Sequence, residues 1–202
     1  MVVASLISGN LHSPLWHSDA VLGRGDHPIS YPDLNLNINL SVLQLMEPDL
    51  VPQLAELTDR YQLPRSAIHF ELTESLFAES HGQLEAQLLA LTQAGFKIHL
   101  DDFGTGYSSL ERLLSLPIDA IKLDYSFTQT LQKGDERLVK AVLLLGRELE
   151  MPVIAEGVET DEVRMQLSRL GCHLMQGYLF AHPMNKTELT QWLALKTGTT
   201  SS

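Results

Sequence analysis

The sequence predicts an α/β fold whose parallel strands curl toward a barrel. Short runs of alternating polarity recur between helical segments at roughly 20- to 35-residue intervals, the rhythm of strands joined by helical crossovers. Each run ends in a polar or acidic residue. The 202 residues, 44% of them apolar, can build one sizeable core, but a closed barrel usually takes eight strands and ~250 residues. Six strand-helix units can be picked out, so the sheet is expected to be about two strands short of closure.

In order along the chain, residues 1–33 resist assignment because Gly9, Pro14, Gly23, Gly25, Pro28 and Pro32 interrupt every amphipathic pattern. Trp16 is expected to pack on a neighbour. His12, His17 and His27 match no zinc spacing and read as scattered surface histidines. From Leu34 the pattern becomes regular. Leu36 to Ser41 alternates as a strand, and 49–61 follows as a helix. Ile68 to Thr73 is a second strand, and a helix near 81–94 stops at Gly95. The third strand starts at Lys97 and ends in Asp101-Asp102, before a glycine-flanked loop and a helix at 109–114 that Ser108 and Glu111 would cap. Ala120 to Asp124 is a fourth strand, and 135–149 a strongly apolar helix. Val153 to Glu159 is a fifth strand with a helix at 161–170, and Leu174 to Tyr178 is a sixth. Asn185 and Glu188 cap a last helix that runs to about Leu195.

Composition narrows the function classes. A net charge of −11 argues against broad DNA binding, since a duplex repels an acidic surface. The single cysteine, Cys172, rules out an internal disulfide and points to a reducing, cytoplasmic compartment. No apolar run reaches the ~20 residues of a membrane span, and residues 1–7 lack the basic start of a signal peptide.

The chemistry gathers at the strand ends, which carry Asn39, Glu71, Asp101 with Asp102, Lys122 with Asp124, Glu156 and Gln176. Parallel strands place these groups on one face. Adjacent acids such as Asp101 and Asp102 converge only where the strand bends. Five carboxylates beside one lysine repel one another by several kcal/mol unless some protonate or cations bind. Hard divalent ions such as Mg²⁺ or Mn²⁺ are the natural remedy, and an Asp bridging two ions suits phosphodiester cleavage. The bare pattern leaves open metal-assisted phosphoester chemistry, other barrel chemistry and a purely structural site.

Glu71-Leu72-Thr73-Glu74-Ser75, Asp101-Asp102-Phe103-Gly104-Thr105-Gly106-Tyr107-Ser108-Ser109-Leu110, Lys122-Leu123-Asp124, Ala155-Glu156-Gly157-Val158-Glu159 and Gln176-Gly177-Tyr178 jointly resemble the EAL domain, the bacterial cyclic di-GMP phosphodiesterase family. Asn39-Leu40-Ser41 fits as well, and the resemblance covers about residues 31–195 in the right order. It implies a TIM-barrel-like (β/α) fold of the EAL type, incomplete or open. The chain then divides into an atypical segment 1–33, an EAL-like domain 34–195 and a disordered tail 196–202. By the same resemblance Asn39, Glu71 and Asp101 would be metal ligands, with Asp101 shared with a second Mg²⁺ or Mn²⁺ beside Asp102. Lys122 would orient or activate the attacking water, and Glu156 would support metal and water. Gln176 and Asp124 would line the cyclic di-GMP site. Glu74 and the loop carrying Phe103, Gly104, Thr105 and Gly106 resemble a segment that couples metal binding to dimerisation, and Glu159 would support the neighbouring loop.

The departures are equally specific. The Glu-Ala-Leu that names the family, and whose Glu is a metal ligand, is missing, and no glutamate precedes Glu47. Val3 to Ile7 would stand in for its strand, with Ala4 or Ser5 where the acid belongs. A substrate-gripping arginine after that motif is also absent. Tyr125 replaces a frequent Arg, and Ala181-His182-Pro183 replaces a Ser-Lys-Pro-like ending. The gap could be filled by a partner subunit, by residues 1–33, or by neither; an upstream part outside this sequence is a further option. Open sheet edges favour a homodimer or other self-association. Two functions follow: an enzyme linearising cyclic di-GMP to pGpG, or a non-catalytic domain binding cyclic di-GMP or a protein. A remnant fold without nucleotide binding is the weakest reading.

Overall fold

A computed structural model describes residues 2–6, 34–74, 82–105 and 110–197 of the chain. Seven strands form one sheet: β1 (Val2–Leu6), β2 (Leu34–Asn39), β3 (Ile68–Thr73), β4 (Lys97–Phe103), β5 (Ala120–Leu123), β6 (Val153–Ala155) and β7 (Leu174–Met175). Their spatial order equals their chain order, and every pairing is parallel. Six of the strands fall where the alternation predicts them. The seventh, β1, covers most of the 3–7 stretch expected to stand in for the missing motif, and pairs with β2. Among the described residues β1 and β7 are the edges and do not meet.

Helices α1 (Val42–Leu45), α2 (Leu50–Arg60), α3 (Gly82–Gln93), α4 (Leu110–Ser115), α5 (Tyr125–Gln132), α6 (Arg137–Glu148), α7 (Asp161–Arg169) and α8 (Lys186–Thr197) connect or flank the strands. Their buried stripes follow the helical repeat: Leu50, Leu54 and Thr58 on α2, and Leu84, Leu88 and Leu91 on α3. On the sheet side the core is Phe70, Leu72, Ile98, Leu100, Ile121 and Leu123, all essentially inaccessible. These residues alternate with Glu71, His99 and Lys122, so one sheet face is apolar and the other polar.

Two capping boxes fix helix starts. Ser41 and Gln44 bond reciprocally before α1, and Asn185 and Glu188 do so before α8, where the sequence predicts it. The α8 helix continues to Thr197, so Lys196 and Thr197, expected in the disordered tail, are helical, and 198–202 lie outside the described residues. Helices α1 and α5 were not legible in the pattern. The expected Ser108 cap, Gly106, and the Trp16, His12, His17 and His27 positions lie outside the described residues.

Candidate metal-binding active site

The site is built at the carboxyl ends of the strands, where register decides which side chains share a face. Asn39 is the ladder partner of Glu71, Thr73 that of Asp101, and Lys122 that of Ile154. Counting in twos along each strand therefore puts Asn37, Asn39, Glu71, His99, Asp101, Lys122 and Glu156 on the polar face. Of the strand-end groups expected to converge, Glu71, Asp101, Asp102, Lys122 and Glu156 do so.

Strand β4 ends in an irregularity that brings its two acids together. The ladder with β5 shifts between Leu100 and Phe103, and Asp102 adopts a left-handed backbone with φ +54°. That conformation is costly for a residue with a Cβ and is tolerated best by Asp, Asn and Gly. It turns Asp102 back toward Asp101, so both acids and Glu156 present oxygens within 4.8 Å of one another. Burial, reinforced by the charge of Asp101, raises the pKa of Asp102.

Lys122 is the centre of charge. Its buried Nζ stands 2.7 Å from Glu71 Oε1, 2.7 Å from Glu156 Oε1 and 2.8 Å from Asp101 Oδ1. Burial alone would depress its pKa, but Glu156, Glu71 and Asp101 outweigh burial and hold it above the ordinary lysine value. Burial raises Glu71 and Glu156, and Lys122 opposes it in both. The acids are thus partly neutralised by the chain's own cation.

Asn37 holds the rear of the site. Its Nδ2 donates to Glu71 Oε1 at 2.7 Å, so the sequence reading missed an asparagine two residues before Asn39. Asn39 is half-buried beside Glu71 in the ladder. Behind Glu71 and Asp101, the rings of His69 and His99 touch with centroids 4.4 Å apart. Burial first, and His69 and Lys122 next, push the His99 pKa down to about 3.

The flanking residues are placed as follows. Glu74 is buried, and its Oε2 accepts the Gly104 N–H at 2.9 Å, joining the end of β3 to the loop after β4. Gly104 has φ +93°, and a Cβ there would lie 2.4 Å from Phe127 Cζ, so only glycine fits. Phe103 is buried, and the Thr105 hydroxyl donates to the Asp102 carbonyl at 2.8 Å. Asp124 caps α5 by accepting the Ser126 N–H at 2.9 Å. Gln176 Oε1 is buried without a hydrogen-bond partner. Glu159 is exposed on the loop before α7. Tyr125 packs over Gly157, whose φ of +63° and absent Cβ the contact requires.

The donor set fits a hard divalent ion. Three carboxylates, hard oxygen donors, converge, and the buried Asp101 Oδ1 among them is paired with Lys122 Nζ at 2.8 Å. Strand β1, by contrast, reads Val-Val-Ala-Ser-Leu and brings no acid to the sheet, with Ser5 in register with Asn37.

Comparison with known proteins agrees with this geometry. The family model described as EAL domain matches residues 21–183. The cyclic di-GMP phosphodiesterase PA2567 of Pseudomonas aeruginosa is 38% identical over 162 residues, which cover 79% of this chain and 28% of that protein. The crystal structure of the EAL domain of Mycobacterium smegmatis DcpA superposes with a TM-score of 0.76 at 36% identity, covering 81% of this chain and 74% of that one. Klebsiella pneumoniae BlrP1, in a manganese/cy-diGMP complex, gives a TM-score of 0.70 at 33% identity, covering 75% of this chain and 39% of that one. Across eight curated relatives this chain spans only 20% to 39% of the relative's own length. Among the described residues no helix is long and apolar enough to cross a membrane. A family-model match over residues 21–183, most of the chain, means that this chain belongs to the EAL domain family.

Proposed function

We propose that this chain is a cyclic di-GMP phosphodiesterase domain that cleaves one phosphodiester of the ring to give linear pGpG. The observation that carries this reading is the bulged end of β4, which aims Asp101 and Asp102 at Glu156 beside a buried lysine. In it, Asp101, Asp102, Glu71 and Glu156, with Asn39, hold Mg²⁺ or Mn²⁺. When bound, such ions lower the pKa of an attacking water and offset charge on the phosphoryl oxygens. Lys122 keeps its proton because three carboxylates surround it. It therefore orients the water and steadies developing negative charge, and it is a poor proton acceptor. Gln176 offers an open acceptor to the nucleotide, and Asp124 fixes the start of α5 at the rim. Glu74, through Gly104, ties the loop after β4 to the site, the link that would couple metal binding to self-association. The unpaired edges β1 and β7 favour a homodimer, to be read by light scattering.

A second reading is a domain that binds cyclic di-GMP without cleaving it, favoured by the absence of an acid on β1. One experiment separates them: cyclic di-GMP and Mn²⁺ with wild type and Asp101→Asn, measuring both nucleotide binding and pGpG release. Release that the variant loses supports the enzyme. Binding without release supports the second reading, and neither binding nor release refutes both.

A further inference from the structure

We propose that Lys122 is a resident cation that holds the metal-free site together and must release Asp101 and Glu156 before a divalent ion can use them. The inference rests on the metal-binding reading above and adds a control on it. Two of the three carboxylates that touch Nζ, Asp101 at 2.8 Å and Glu156 at 2.7 Å, belong with Asp102 to the group of converging oxygens. The ammonium and a divalent ion therefore contend for the same carboxylates, and at such separations in a buried site the two positive charges repel strongly. Lys122 has a position to fall back on. Its third partner, Glu71, is 2.7 Å away; Lys122 and Asn37 share its Oε1, so the ammonium keeps this contact when the other two break, and Glu71 would meet an ion through Oε2. Metal affinity then reflects a competition: the site is tolerable when empty of metal, and displacement of the ammonium lowers its apparent affinity for the ion. Lys122 acts here as a positioning residue for the acids.

The test is Mn²⁺ binding to the full chain, read by the electron paramagnetic resonance of free Mn²⁺, for wild type, Lys122→Met and Lys122→Arg. The Met variant, once circular dichroism shows it folded, is expected to bind Mn²⁺ about tenfold or more tightly than wild type, and the Arg variant is not. A second measurement needs no variant. The Lys122 ¹⁵Nζ resonance, slow to exchange while enclosed by carboxylates, is expected to shift in step with Mg²⁺ occupancy. Equal or weaker Mn²⁺ binding by a folded Met variant overturns the proposal, as does tighter binding by Arg or an Nζ resonance unmoved at saturating Mg²⁺. Each of these leaves the phosphodiesterase reading standing. Mn²⁺ binding to none of the proteins defeats that reading and this proposal together.

Discussion

Acidification to about pH 5 should weaken this domain through His99, and the size of the effect can be worked out. The ring is 5% exposed, and its pKa falls from 6.5 to about 3. Between those values the native ring stays neutral while the unfolded chain takes up a proton, so stability drops as pH falls. Each unit below 6.5 costs about 1.4 kcal/mol, so moving from pH 7.5 to pH 5 removes about 2 kcal/mol. That is a large part of the ~5–15 kcal/mol that a domain has. His69, also depressed by burial, adds in the same direction. Glu71, Glu156 and Asp102 act oppositely, because their raised pKa values let the native state take up protons first. The observable is therefore a difference: urea unfolding of wild type and His99→Leu at both pH values. The variant should lose about 2 kcal/mol less than wild type on acidification. At pH 7.5 it should be about as stable, since Nδ1 has no hydrogen bond to forfeit and leucine fills a similar volume. Equal losses in the two proteins would refute a ring held neutral by burial.

Other expected outcomes concern the supports of the site. Asn37→Ala takes one donor from Glu71 and should cost about 1.5–3 kcal/mol in urea unfolding, with weaker Mn²⁺ binding. Glu74→Ala leaves the Gly104 N–H without its acceptor and should cost about 1–3 kcal/mol, with faster amide exchange at Gly104. Gly104→Ala meets Phe127 and a backbone unfavourable to side chains, and should cost about 2–3 kcal/mol. Any pGpG release should cease in excess chelator and return with Mn²⁺.

Much of this was legible in the sequence, for a definite reason. Alternation in Ile68 to Thr73 and Lys97 to Asp102 fixes which residues share a face, and a strand end fixes where a doubled acid can bend. Neither fixes register, and register makes the contacts. It sets Asn37 near enough to bind Glu71, brings His69 against His99, and centres Lys122 among three acids that the composition alone presents as mutually repelling. Helix α5 stayed hidden because Tyr-Ser-Phe-Thr-Gln-Thr-Leu-Gln is rich in poor helix formers, although Asp124 as its cap and Phe127 with Leu131 one turn apart are signals in retrospect. Glu71 and Asp101 read as bare metal ligands; the lysine already beside them belongs to tertiary structure.

The sheet's chain-order layout bears on how the protein matures. Each strand docks on the one synthesised just before it, so folding can proceed from one edge toward the other without threading. The acids are dealt out one strand at a time, and Glu156, just past β6, arrives late. A growing chain therefore carries Glu71, Asp101 and Asp102 before it carries Glu156, and on the proposed reading the binding of a divalent ion would report that β6 has seated.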